Sequence, residues 1–219
     1  MSRRLTASSI YPKSTLYPSW IKLTREIAIP IAVNNRHVHL SKEDAGKLFG
    51  PSHELTLETP DKLLWPGQTL WKEKVTISGP GGSIQNVGLV GPYGTTSIEL
   101  SCGDAYRLGL SMESAGAKKF PPGVTVKGPS GGMFVSTDSS VSGRWLLVSK
   151  SRAERHGLKD GAMVDVRAGS GTDSAVTLHN VKVVVSTWTD QDCWAVYLDS
   201  DAASAASVKT GDMAHTILD

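Results

Sequence analysis

The chain has 219 residues, a formal net charge of +2 and 39% hydrophobic residues, enough to bury a sizeable core as one large or two small domains. The near balance of charge excludes any argument for nucleic acid or another polyanion as partner, and no apolar run reaches the roughly 18 residues of a membrane span. The two cysteines, Cys102 and Cys193, allow one disulfide by arithmetic but fit a reduced, intracellular protein better.

Residues 1–26 read as an N-terminal arm or targeting segment. Arg3, Arg4, Lys13, Lys22 and Arg25 precede the first acid, Glu26, in a Ser/Thr-rich stretch like an organellar transit peptide. Pro12 and Pro18 break the long helix such a peptide needs, whereas Tyr11, Tyr17 and Trp20 suit an arm lying on a partner surface.

An apolar run, Ile27 to Val33, leads into Asn34-Asn35-Arg36-His37-Val38-His39-Leu40-Ser41. If the run is a strand, alternation puts His37 and His39 on one face, roughly 6.5–7 Å apart. Two imidazoles at that spacing can share a metal; the other reading is a pair of hydrogen-bonded histidines beside a helix cap. Ser41 then caps a helix over Lys42–Phe49, with Glu43 and Asp44 in its first turn and Gly50 after its end. Strands are expected over Glu73–Ser78, Ile84–Val90, Ser97–Leu100, Val124–Lys127, Arg144–Val148, Met163–Arg167, Val181–Ser186 and Trp194–Leu198. Further short helices are expected over Gly103–Gly109, Arg152–Gly157 and Asp201–Val208. The pattern is mainly β with short helices, and few helices are long enough for a doubly wound sheet.

The chain also carries a diverged internal repeat. Strand, Leu40-Ser41-Lys42, helix and Gly50 return as Trp145-Leu146-Leu147-Val148-Ser149-Lys150, helix and Gly157. A Val-Thr-x-x-Gly-Pro-x-Gly turn occurs at Val75 to Gly82 and again at Val124 to Gly131, and Gly-Pro before Gly marks a hairpin turn. His53, His156, His179 and His215 fall in turns or at element ends and read as surface or capping groups.

Asn35-Arg36-His37-Val38-His39-Leu40-Ser41 resembles the signature of the PduL-type phosphate acyltransferases (phosphate propanoyltransferases). So do Val75 to Gly82, Gly91-Pro92 followed by Ile98-Glu99-Leu100-Ser101, and Asp104-Ala105-Tyr106-Arg107-Leu108-Gly109. The resemblance runs from about Ile29 to the C-terminus. It implies two related β-barrel domains capped by helices, here 27–121 and 122–219, with the boundary near Pro121-Pro122-Gly123. It also implies a metal site between the domains that handles a coenzyme A thioester and phosphate. By resemblance His37, His39 and Glu99 hold one zinc-like divalent metal, and Arg36 is the candidate substrate-binding group. The N-terminal segment corresponds in some members to a peptide that directs them into bacterial microcompartments. Mitochondrial matrix, microcompartment and cytosol are not distinguished. A homo-oligomer or larger assembly through the arm is the expected partnership.

The sequence departs from the family at its second metal. Trp145, Leu147 and Tyr197 stand where members carry histidines, and neither Trp nor Leu offers a lone pair to a cation. Tyr93-Gly94-Thr95-Thr96-Ser97 lacks the family's basic residue, and Cys102 replaces another arginine. The expectation is a diverged member with a partly lost active site that no longer performs phosphotransacylation. It would serve instead as a structural or assembly subunit, or as a binder of a coenzyme A-type ligand, and no catalytic residue is assigned. The alternative is an active phosphate acyltransferase that exchanges an acyl group between coenzyme A and phosphate with one metal.

Overall fold

The computed structural model describes residues 25–58, 65–110, 124–136, 139–189 and 191–218. The arm before residue 25 and the Pro121-Pro122-Gly123 stretch lie outside them. In chain order the elements are β1 (Arg25–Asn34), β2 (His37–His39), α1 (Lys42–Phe49), β3 (Thr69–Gly79), β4 (Gly82–Gly91), β5 (Ser97–Leu100) and α2 (Cys102–Arg107). They continue with β6 (Val124–Lys127), β7 (Met133–Ser136), β8 (Ser139–Val141), β9 (Trp145–Ser149), α3 (Lys150–His156), β10 (Met163–Ala168), β11 (Val176–Ser186), β12 (Trp194–Asp199), α4 (Ser200–Ala205) and β13 (Met213–Leu218). None of these helices is long and apolar enough to cross a membrane.

The protein is mainly β, as its alternating apolar positions require. One sheet closes into a barrel in the order β1-β12-β9-β11-β10-β13. The other is a seven-stranded sheet, β7-β6-β3-β4-β2-β5-β8, which does not close by pairing among the described residues. One of the two expected barrels is therefore an open sheet. Each has its own core. Val38, Leu48, Ile77, Ile98, Leu100 and Val126 pack within the open sheet, and Ile29, Ile31, Leu146, Val148, Val183 and Leu198 fill the barrel. Fully burying one such side chain contributes about 1.5–3 kcal/mol.

The two sheets are built alike. β2 runs parallel to β4 and antiparallel to β5, and β9 stands in the same relation to β11 and β12. Beyond them β5 pairs in parallel with β8, and β12 with β1. The match extends to backbone detail: Asn86 and Asn180 occupy equivalent places in β4 and β11 and adopt φ of 56° and 59°. Gly79 and Gly169 mark another equivalent pair. A Cβ on either would collide with a helix-end carbonyl, that of Leu108 or Ala206, so only glycine allows the approach.

Strand pairing crosses the expected division of the chain. β1 lies between β12 and β13 of the barrel, and β8 closes the edge of the open sheet beside β5. The first half gives β1 to the barrel and the second gives β6, β7 and β8 to the open sheet, so neither 27–121 nor 122–219 is self-contained in its strand pairing. The break at Asn35-Arg36 follows from this exchange, because β1 ends in one sheet and β2 begins in the other. The apolar run and the His-x-His pair are two strands, not one. The Val-Thr turns are both hairpin turns, at β3–β4 and β6–β7, but both belong to the open sheet and are not equivalent positions.

The helices follow their caps. Ser41 Oγ accepts from the Asp44 backbone at 3.1 Å, Ser101 Oγ from Asp104 at 3.1 Å, and Asp199 Oδ1 from Ala202 at 2.8 Å, each satisfying a donor of the first turn. Ser149 differs: its hydroxyl donates to Asp192 at 2.8 Å instead of capping α3. Asp201 of α4 ties the halves together. Its carboxylate accepts from Ser101 Oγ at 2.9 Å and from the Gly103 amide at 2.7 Å, at the start of α2.

Candidate metal centre and interdomain cleft

β2 pairs with β5 so that His37 stands opposite Glu99, and alternation turns His39 to the same side as His37. His37 Nε2 lies 3.1 Å from His39 Nε2 and 3.1 Å from Glu99 Oε2. One ligand atom from each residue lies within 4.8 Å of the others, the one such group of three found among the described residues. A tetrahedral ion with ligand bonds of about 2.0–2.1 Å keeps its donors about 3.3 Å apart. The two 3.1 Å spacings match that geometry.

The backbone sets the orientation of the rings. His37 Nδ1 lies 2.9 Å from the Asn35 carbonyl, so Nδ1 carries a proton and Nε2 is the atom turned towards His39 and Glu99. The Val90 backbone holds His39 in turn. Burial, and then the neighbouring His37, keep His39 below the ordinary imidazole value against the pull of Glu99, which favours the neutral, ligating form. Burial pushes Glu99 up, but the hydrogen bond and charge of His37, aided by Asn34, outweigh it and leave the carboxyl below its usual range. Two imidazole nitrogens and a carboxylate oxygen converge on one point, where a cation can take the place of the proton that His37 shares with Glu99. The donor set therefore fits a divalent metal.

Arg36, next to the triad, is anchored through Nε to Asp104 Oδ2 at 2.7 Å. Arg144, at the equivalent place before β9, lies 3.7 Å from Asp199. The equivalence of the halves gives Trp145, Leu147 and Tyr197 a structural meaning. Trp145 pairs with Tyr197 across β9 and β12 as His37 pairs with Glu99 across β2 and β5. Leu147 then occupies the place of His39. The barrel repeats the backbone frame of the triad with an indole, an isobutyl group and a phenol, none a match for imidazole as a ligand at neutral pH.

Both frames face one cleft of about 780 Å³ between the barrel and the open sheet. His37, Glu99, Arg36, Asn34 and Asn35 line it on one side, with Trp145, Tyr197, Val184 and Thr210 contributed by the barrel. The residues at 65, 68 and 86 were not singled out for this site from sequence. Trp65, Gln68 and Asn86 also face the cleft, and the Asn86 place was legible only through the repeat. Cys102 is exposed, and burial together with Asp199 and Asp201 pushes its thiol up, away from a reactive thiolate. His53 meets Glu73 at 3.0 Å, His179 meets Asp165 at 2.8 Å and His156 stacks on Trp194. None of the three joins the triad.

Residues 30–209 match the family described as phosphate propanoyltransferase. The chain is 36% identical over 198 residues to the phosphate propanoyltransferase of Thermotoga maritima, covering 89% of this chain and 91% of that one. It is 39% identical over 158 residues to that of Rhodobacter capsulatus, covering 71% and 72%. With the protein of the same name from Rhodopseudomonas palustris it shares 32% identity over 188 residues, covering 84% and 80%. The chain belongs to the phosphate propanoyltransferase family.

Proposed function

We propose that the protein is a phosphate acyltransferase that exchanges an acyl group between coenzyme A and phosphate with a single metal centre. The observation that carries this reading is the convergence of His37, His39 and Glu99 on one point of the interdomain cleft. The names of the relatives support it; against them the expectation of lost activity rests on Trp145, Leu147 and Tyr197, on the loop 93–97 without a basic residue, and on Cys102 in place of an arginine.

His37, His39 and Glu99 would hold a zinc-like divalent metal, whose chemistry is to polarise the thioester and stabilise the departing thiolate. The chain's own groups do the rest. The Asn35 carbonyl and the Val90 backbone fix the two imidazoles, so the donors need no rearrangement when a ligand arrives. Asp104 grips Arg36 by its Nε, leaving the two terminal amino groups of a planar fork for phosphate oxygens. A phosphate oxygen attacks the acyl carbon, the carbon–sulfur bond breaks, and the thiolate leaves as acyl phosphate forms; the reverse step restores the thioester. The walls of the cleft limit water, which would otherwise hydrolyse the acyl phosphate.

The test is transfer from acyl phosphate to coenzyme A by purified, metal-supplied protein. Activity well above background is expected, with loss of at least a hundredfold in His37→Ala. Background activity in the wild-type protein would contradict the proposal. A second reading is favoured by the Trp145–Tyr197 pair: a subunit that retains the ligand-binding cleft or an assembly role without transfer. It predicts background activity together with retained metal and retained binding of coenzyme A.

A further inference from the structure

The two walls of the cleft differ in chemistry. One carries Arg36, His37, Glu99 and the amides of Asn34 and Asn35, whereas the other is aromatic. On that second wall Trp65 packs edge-on against Tyr197 with ring centres 5.0 Å apart, and Tyr197 is the cross-strand partner of Trp145. Trp188 stacks behind Trp65 at 6.1 Å and 12°, holding that ring in place. The Lys182 ammonium stands 5.8 Å over the Trp145 ring, a cation–π contact that orients it from the adjacent strand. Leu70, Val90 and Val184 complete the apolar lining.

Such a wall is more than packing. Trp65 and Trp145 are only partly buried: each packs against the small core of Ala32, Leu147, Ala195 and Tyr197 and also lines the cleft. At the same backbone frame the first half carries metal donors, so the second half has replaced polar groups with apolar area. Apolar area facing a cleft stabilises whatever ligand covers it, by roughly fourfold in affinity for each methylene removed from water. A planar ring gains further from edge-to-face contact with indole and phenol. A three-carbon acyl group would leave most of this surface wet.

We infer that the cleft accepts an acyl group with an aromatic, ring-bearing body, its carbonyl end towards His37 and Glu99 and its ring against Trp65, Trp145 and Tyr197. This rests on the reading of the cleft as an acyl-transfer site and names the substrate class of that site. The propanoyl group in the relatives' names would cover little of this aromatic wall.

Binding of phenylacetyl-pantetheine and propanoyl-pantetheine to the full-length, metal-supplied protein tests it by calorimetry. Neither probe carries adenine, so the comparison reads the acyl pocket alone. The phenylacetyl probe should bind at least tenfold more tightly. In Trp65→Ala the preference should fall to less than threefold while metal content is unchanged. Equal affinity, weaker binding of the phenylacetyl probe, or no detectable binding of it would overturn the inference, whatever any variant does. Absence of phosphate transfer in a protein that shows the tenfold preference would count against the proposed function and leave the pocket assignment standing. Efficient propanoyl transfer without the preference would do the reverse.

Discussion

His37 and His39 meet because a three-residue strand turns alternate side chains to one side, and that much is legible from their spacing. Glu99 is not legible in the same way. It reaches them through the pairing of β2 with β5, a long-range contact that only the resemblance to a family anticipated. The same holds for Arg36 with Asp104, whose ion pair is invisible to local pattern. Asp44 shows a shorter-range device. Its buried carboxylate accepts from Thr96 Oγ1 at 2.6 Å and Lys47 Nζ at 2.9 Å, tying α1 to the loop before β5. Burial pushes the Asp44 carboxyl up, but the hydrogen bonds from Thr96, Lys47 and Ser41 outweigh burial and hold it below its ordinary range. The folded state therefore binds this proton less readily than the unfolded chain. The stabilisation is present above about pH 4 and is lost as the pH falls through the lower folded-state value. Asp44→Asn should cost about 1–2 kcal/mol at pH 7 in urea denaturation. The difference from wild type should shrink as the pH falls below about 4; a constant difference across that range would contradict the assignment.

At the scale of elements, the apolar alternation located most strands and all four helices to within a few residues. The helix limits came from caps that sequence displays, Ser41 and Gly50 around α1 and Gly157 after α3. β8, Ser139–Val141, escaped because two serines in three residues carry little strand preference. β1 was recognised as a strand but its partners were not, since propensity and alternation say nothing about which partner a strand will take. Its neighbours β12 and β13 come from the far end of the chain, and Ile29 and Ile31 are fully buried among barrel residues. A chain cut to begin at residue 35 should therefore lose the barrel, exposing its core. The expected result is a loss of cooperative unfolding and of soluble yield, with partial recovery when a peptide of residues 25–34 is supplied. Unchanged cooperative unfolding without β1 would show that the barrel closes by other means.

The whole molecule is two copies of one plan in which the strand before each central strand, β1 before β2 and β8 before β9, pairs in the other sheet, and the copies differ in chemistry. The exchange makes the halves interdependent, and Asp201 reinforces it by holding the start of α2 from α4. It also places both frames on one cleft, where a pair of equivalent sites could have served two cations. His37, His39 and Glu99 keep one site, and Trp145, Leu147 and Tyr197 have turned the other into an aromatic wall. Resemblance to the family places Trp145, Leu147 and Tyr197 at the second site, and comparison of the two sheets adds that Trp145 and Tyr197 pair as His37 and Glu99 do. Elemental analysis of the purified full-length protein after dialysis against trace divalent metals tests that asymmetry most directly. About one ion per chain is expected, lost on His37→Ala; two ions per chain, or none, would contradict it.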